Sequence, residues 1–216
     1  GGENINFDQS DYATINSVGS FTSGNGTQNP NGFIPSGQGF FVSMSNTAPA
    51  TLDSGDIYTG DIIFNNSMRV KGDNDQFFRT TNTENKLWLN MTSDTGIFSQ
   101  ILIGYIDGAT SNFDGAYLDA PRNLSSGVRA SMYSIISDSD KKYAIQGKSP
   151  EDLSLEEIIP LGFYTAIDEA TLYTLSIAQT EGDFITSNSI YIRDLHLNLT
   201  ANLTEAPYTF TSDTGE

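Results

Sequence analysis

The chain has 216 residues, no cysteine, and 27 acidic against 10 basic side chains, giving a formal net charge of −17. The missing thiols exclude disulfides and thiolate chemistry, the charge repels nucleic-acid backbones and anionic membrane surfaces, and no apolar run approaches the roughly 18 residues of a membrane-spanning helix. Apolar residues make up 37%, and the abundance of Gly, Ser, Thr and Asn suits many short strands joined by polar turns.

Residues 1–33 are Gly-, Asn- and Ser-rich, with a strand expected around Asp11-Tyr12-Ala13-Thr14-Ile15 and a long loop from Ser17 to Asn31. Pro35, Gly37 and Gly39 make a turn ahead of Phe40-Phe41-Val42, a β-favouring run expected to be buried and to organise the fold. A further strand is expected at Ile62-Ile63-Phe64. It is followed by turns at Asn65-Asn66-Ser67 and Lys71-Gly72-Asp73-Asn74-Asp75, then by Gln76-Phe77-Phe78-Arg79, aromatic on both faces.

Lys86-Leu87-Trp88-Leu89-Asn90-Met91 alternates polar with apolar side chains, the period of a half-buried strand. Ile101 to Ile106 is nearly continuous in apolar residues and predicts a central strand. Met132–Ile136 and Lys142–Gln146 flank Asp138-Ser139-Asp140 and predict a hairpin. Ile158-Ile159-Pro160-Leu161-Gly162-Phe163 is expected to enter a further strand, strands are also expected at Thr171–Ile177, Ser189–Asp194 and Pro207–Thr211, and a helix of about two turns at most is expected between Pro150 and Glu157. Strands spaced roughly 10–15 residues apart point to an all-β fold, an antiparallel β-sandwich of jelly-roll type. No repeat or linker divides the chain, so one domain over residues 1–216 is expected. The start at Gly1-Gly2 reads as trimmed, and the chain as a piece of a longer one.

The sharpest chemical candidate is the loop Asp107–Asp119. Asp107, Asp114 and Asp119, with the amide and hydroxyl oxygens between them, are the hard ligands that calcium prefers, although the spacing is not that of an EF-hand. The competing reading is that Asp107 and Asp114 form Asx turns, with Tyr117 packed beneath the loop. The acidic turn Lys71–Asp75 invites the same pair of readings, with the turn favoured. Sugar binding would need an exposed ring as a stacking plane; Trp88 and Tyr117 are the main candidates, with Tyr105 and Tyr133 behind them. No enzyme activity is expected. His196, the sole histidine, lies between two leucines on an expected strand, and no Gly-x-Ser-x-Gly elbow is present.

A series of short motifs carries a family resemblance. Ile34-Pro35-Ser36-Gly37-Gln38-Gly39-Phe40-Phe41-Val42, Asn66-Ser67-Met68-Arg69, Phe77-Phe78-Arg79, Leu87-Trp88-Leu89-Asn90 and Ile103-Gly104-Tyr105-Ile106-Asp107-Gly108-Ala109-Thr110 occur in this order. They are followed by Phe113-Asp114, Ala144-Ile145-Gln146-Gly147, Pro160-Leu161-Gly162-Phe163, Ile190-Tyr191-Ile192-Arg193-Asp194 and Pro207-Tyr208-Thr209-Phe210-Thr211-Ser212-Asp213. From about residue 33 onward the chain resembles the β-rich region that precedes the sorting domain in type IX secretion cargo of Bacteroidetes. The resemblance implies a secreted protein at the exterior of the outer membrane, a structural or adhesive module without catalysis of its own. Its implied partners are proteins of a surface assembly or an extracellular polysaccharide, with no nucleic acid and no membrane insertion. The alternative function is a carbohydrate-binding module of a secreted polysaccharide-degrading enzyme. Family members continue into a further strand, whose absence here would leave an unpaired sheet edge near Pro207–Thr211.

Overall fold

The computed structural model describes residues 13–21, 30, 32–34, 40, 42, 50–52, 58–69, 84–122, 124 and 128–215. Pro35, Gly37, Gly39, Phe41, the turn at Lys71–Asp75 and the run Gln76–Arg79 lie outside them.

The structure is all-β and sandwich-like, built on one curled sheet. Its strands are β5 (Asn85–Ser93), β6 (Phe98–Tyr105), β7 (Ala120–Pro121), β8 (Ala130–Ile135), β9 (Lys142–Lys148), β10 (Leu161–Thr165), β11 (Thr171–Glu181) and β14 (Tyr208–Ser212). In space they run β10-β8-β9-β6-β5-β11-β14, with β7 added along β9. Three two-stranded ribbons accompany the sheet: β1 (Thr14–Ile15) with β2 (Ser20–Phe21), β3 (Thr51–Leu52) with β4 (Tyr58–Thr59), and β12 (Tyr191–Asp194) with β13 (Leu199–Asn202). A short helix α1 (Asp183–Ser187) follows β11. Among the described residues no helix is long and apolar enough to cross a membrane.

All the pairings are antiparallel except β6 with β9, which run parallel with Leu102 opposite Ile145 and Tyr105 opposite Lys148. The sheet curls far enough that the segment after β14 returns to the opposite end, where Thr165 and Gly215 exchange backbone hydrogen bonds of 3.0 and 3.1 Å. Inside the curl, Phe163 of β10 meets Tyr173 of β11 at 4.8 Å and Phe210 of β14 at 5.2 Å between ring centroids, both edge-on. These aromatic contacts join the two ends of the sheet through its core.

The alternation read in β5 proves to divide two cores rather than core from solvent. Leu87, Leu89 and Met91 lie in one buried cluster with Ile101, Met132, Tyr173 and Leu175, while Trp88 lies in a second with Val18, Leu102, Ala144 and Ile145. The second cluster is covered by the β1–β2 ribbon. Val18 at its turn is fully buried, and the Trp88 indole Nε1 donates to the Ser20 carbonyl at 3.0 Å. A strand with one polar face would have left Trp88 open; the ribbon closes that face.

Other expectations also change. Phe40 and Val42 are 48% and 53% exposed, not buried, and Ile62-Ile63-Phe64 forms no strand and is more exposed still. An apolar run becomes a strand only where an edge pairs with it, and no described strand pairs with residues 61–65. Instead the Phe40 and Phe64 rings touch each other edge-on at 6.0 Å. The expected helix over Pro150–Glu157 shrinks to a single 3-10 turn, Pro150–Asp152, capped by the Ser149 side chain. The predicted β8–β9 hairpin is present, as are the strands at 161–163, 171–177, 191–194 and 208–211. His196 lies in the exposed turn of the β12–β13 ribbon and not in a strand.

Candidate functional site

Parallel strands β6 and β9 end side by side, so the loops that follow them, 106–119 and 149–160, leave the sheet at the same place. Such paired strand ends are where loops can bring distant side chains together. Here they assemble a half-hidden polar network. Lys148 forms an ion pair with Glu157 at 3.1 Å, and both side chains are almost fully buried. The Tyr105 hydroxyl donates to Glu157 Oε2 at 2.5 Å. Lys148 also donates to Ser111 Oγ at 3.3 Å, and Ser111 in turn donates to Asp152 Oδ2 at 2.5 Å. Burial, reinforced by the Glu157 carboxylate, holds the Tyr105 phenol well above its usual pKa.

The loop that carries the calcium candidates is organised by its own backbone. Asp119 is fully buried; its Oδ2 accepts the Asp114 N–H at 2.7 Å and its Oδ1 accepts the Gly147 N–H at 3.0 Å. Asp114 accepts the Thr110 N–H at 2.5 Å and the Thr110 hydroxyl at 2.9 Å. Asp138, from the β8–β9 turn, accepts the Phe113 N–H at 3.1 Å. Asp107 sits exposed at the start of the loop. Among the described residues no three acidic or histidine side chains converge as a ligand set. Burial pushes the Asp119 carboxyl up to about 6 despite the two N–H donors, and the nearby Asp114 and Asp138 charges push the same way.

The same loop anchors the β1–β2 ribbon. Asn16 Nδ2 donates to the Leu118 carbonyl at 3.1 Å, the Ser17 N–H donates to the Tyr117 carbonyl at 3.2 Å, and the Ser17 hydroxyl donates to that same carbonyl. Loop 106–119 is thus a hub between the sheet end, the 149–160 loop and the ribbon over Trp88.

The ring candidates separate. Trp88, Tyr105 and Tyr133 are each 5% exposed or less, so none offers a face to a sugar. Trp88 is corrected from a stacking plane to a core residue, because Val18 and Ser20 cover it. Tyr117 is 75% exposed and does offer one. Sequence reading missed the Tyr105–Glu157–Lys148 network altogether. The hydroxyl and carboxylate that it joins are 52 positions apart, and only the parallel pairing brings them together.

The chain matches, over residues 2–216, the family described as "Domain of unknown function (DUF8693)". It belongs to that family. No curated protein and no solved structure matches it.

Proposed function

We propose that this chain is a non-catalytic module of an exported, cell-surface protein with a structural or adhesive role, in keeping with its resemblance to type IX secretion cargo. Its partners are proteins of a surface assembly. The observation that carries this reading is the use made of loop 106–119: Asp119, Asp114 and Asp138 each accept backbone N–H groups, binding loops and sheet into one frame. Asp119, the buried acceptor among them, is matched to two backbone donors, and such pairing rigidifies a fold. The calcium assigned to Asp107, Asp114 and Asp119 is not needed to hold such a frame together. A net charge of −17 keeps the exposed surface soluble at high local density.

Antibody labelling of intact and permeabilised cells of the source organism tests the reading. Labelling of intact cells is expected; labelling only after permeabilisation would end it.

A second reading, a carbohydrate-binding module, rests on Tyr117, whose ring stands exposed on the rigid hub. Binding to a panel of soluble and insoluble polysaccharides, compared with Tyr117→Ala, tests it. Saturable binding to one glycan class that is lost in the variant would move the assignment to sugar recognition.

A further inference from the structure

We propose that the outer edge of β11 between Ser176 and Glu181 is a strand-addition site for a short, extended, basic peptide segment of a protein partner. β11 is the longest strand, and its two edges are used unequally. One edge pairs with β5 along nearly its whole length, from Tyr173 opposite Ser93 to Glu181 opposite Lys86. The other pairs with β14 only from Thr171 to Leu175. At Leu175 its partner is Tyr208, the first residue of β14, and Pro207 just before it lacks an N–H with which to continue the ladder.

Beyond that point the chain between β11 and β14 makes a detour through α1 and the β12–β13 ribbon. None of its backbone groups pairs with residues 176–181. Along a strand the N–H and C=O groups point alternately to the two edges, so part of this stretch presents donors and acceptors that have no backbone partner among the described residues.

The detour leaves room beside the edge. A groove of about 330 Å³ is lined by Ser176, Ile177 and Thr180 on the strand, and by Ile185, Leu203 and Pro207 on the far side. The walls are mixed, with Ile185, Ile190 and Leu203 among Thr186, Asn188 and Thr204; in β-strand addition the ladder supplies affinity and such walls take alternate side chains. The β-bulge between Ile177 and Gln179 breaks the regular spacing, which limits the added strand to a short one.

Charge selects the occupant. Glu205 lines the groove, Glu181 ends the open edge and Asp183 opens α1. Across such a rim a basic segment is favoured and an acidic one repelled. The inference rests on this edge alone, so its test is independent of where the protein resides.

The test uses the synthetic peptide Lys-Val-Thr-Val-Thr-Val-Lys, its Glu-flanked counterpart, and a Lys-flanked version N-methylated at alternate residues. Titration is followed by anisotropy, and hydrogen exchange is read by mass spectrometry and NMR. In the free protein, the outward amides of residues 176–181 should exchange faster than those of residues 171–175. The Lys-flanked peptide should bind and protect 176–181. N-methylation and the surface variant E181K/E205K should each weaken it about tenfold or more, with the Glu-flanked peptide gaining in the variant. Protection of 176–181 in the free protein, binding that survives N-methylation, or protection gained elsewhere would overturn the proposal. So would an absence of binding by the Lys-flanked peptide.

Discussion

Val18 occupies the space that a side chain at position 104 would fill: a β-carbon built on Gly104 would lie 2.3 Å from Val18 Cγ1. The central strand β6 therefore carries glycine where the β1–β2 ribbon docks. Asn16 shapes the turn that delivers Val18 by accepting its N–H at 2.9 Å. Gly104→Ala should destabilise the fold by about 1–3 kcal/mol through overpacking. Val18→Ala should cost a similar amount by leaving a cavity, and in the double variant the two effects should add to less than their sum. Urea unfolding of the four proteins measures this; strict additivity would mean that the two positions do not touch.

Trp88 reports on the same contact. With its indole bonded to the Ser20 carbonyl and covered by Val18, its fluorescence should be blue-shifted and insensitive to added polysaccharide. Trp88→Ala should cost about 3–5 kcal/mol of stability. A sugar-induced shift in the wild-type emission would contradict this placement.

Asp119 gives the fold a pH dependence of unusual sign. Its carboxyl titrates near 6 in the folded chain against 3.8 as its ordinary value. Between those values the native state holds more protons than the unfolded one, so the stability contributed by this group is full below about pH 4 and is lost as pH rises through about 6. A shift of that size corresponds to a loss on the order of 2–3 kcal/mol. Asp119→Ala should remove this slope while orphaning the Asp114 and Gly147 N–H groups, at about 1–3 kcal/mol each. Melting curves of both proteins from pH 4 to 8 test it; an unchanged slope in the variant would assign the titration to another group.

The Lys148–Glu157 pair is nearly dry, so removing one partner leaves a buried charge. Lys148→Met should cost about 3–5 kcal/mol, while Lys148→Met combined with Glu157→Leu should cost clearly less. A double-variant loss equal to the sum of the Lys148→Met and Glu157→Leu losses would show that the two residues act independently.

The strands legible in the sequence are those in which apolar residues are dense and the turns are marked. β6, the β8–β9 hairpin bracketed by Asp138-Ser139-Asp140, β10, β11 and β14 all fall where the pattern puts them. What the pattern cannot carry is partner choice. Ile62-Ile63-Phe64 has strand composition and no strand partner among the described residues, whereas Leu199–Asn202 has weak composition and becomes β13 because β12 lies beside it. The parallel β6–β9 pairing, and with it the Tyr105–Glu157–Lys148 network, depends on a long-range crossover that no local spacing encodes. The Asp107–Asp119 loop was visible as an oxygen-rich segment, but the direction of its acceptors was not. Asp119 turns inward to Gly147 on β9, a strand that begins well after the loop has ended.

The acceptors of loop 106–119 hold the chain's own backbone. The direct measurement is Tm of the purified protein at neutral pH in millimolar calcium and in chelator. The same Tm is expected in both. A calcium ion bound at 100 times its dissociation constant would add about 2.7 kcal/mol, a rise in Tm of about 5 °C or more for a domain of this size. Such a rise, abolished by Asp114→Ala, would return the loop to metal binding.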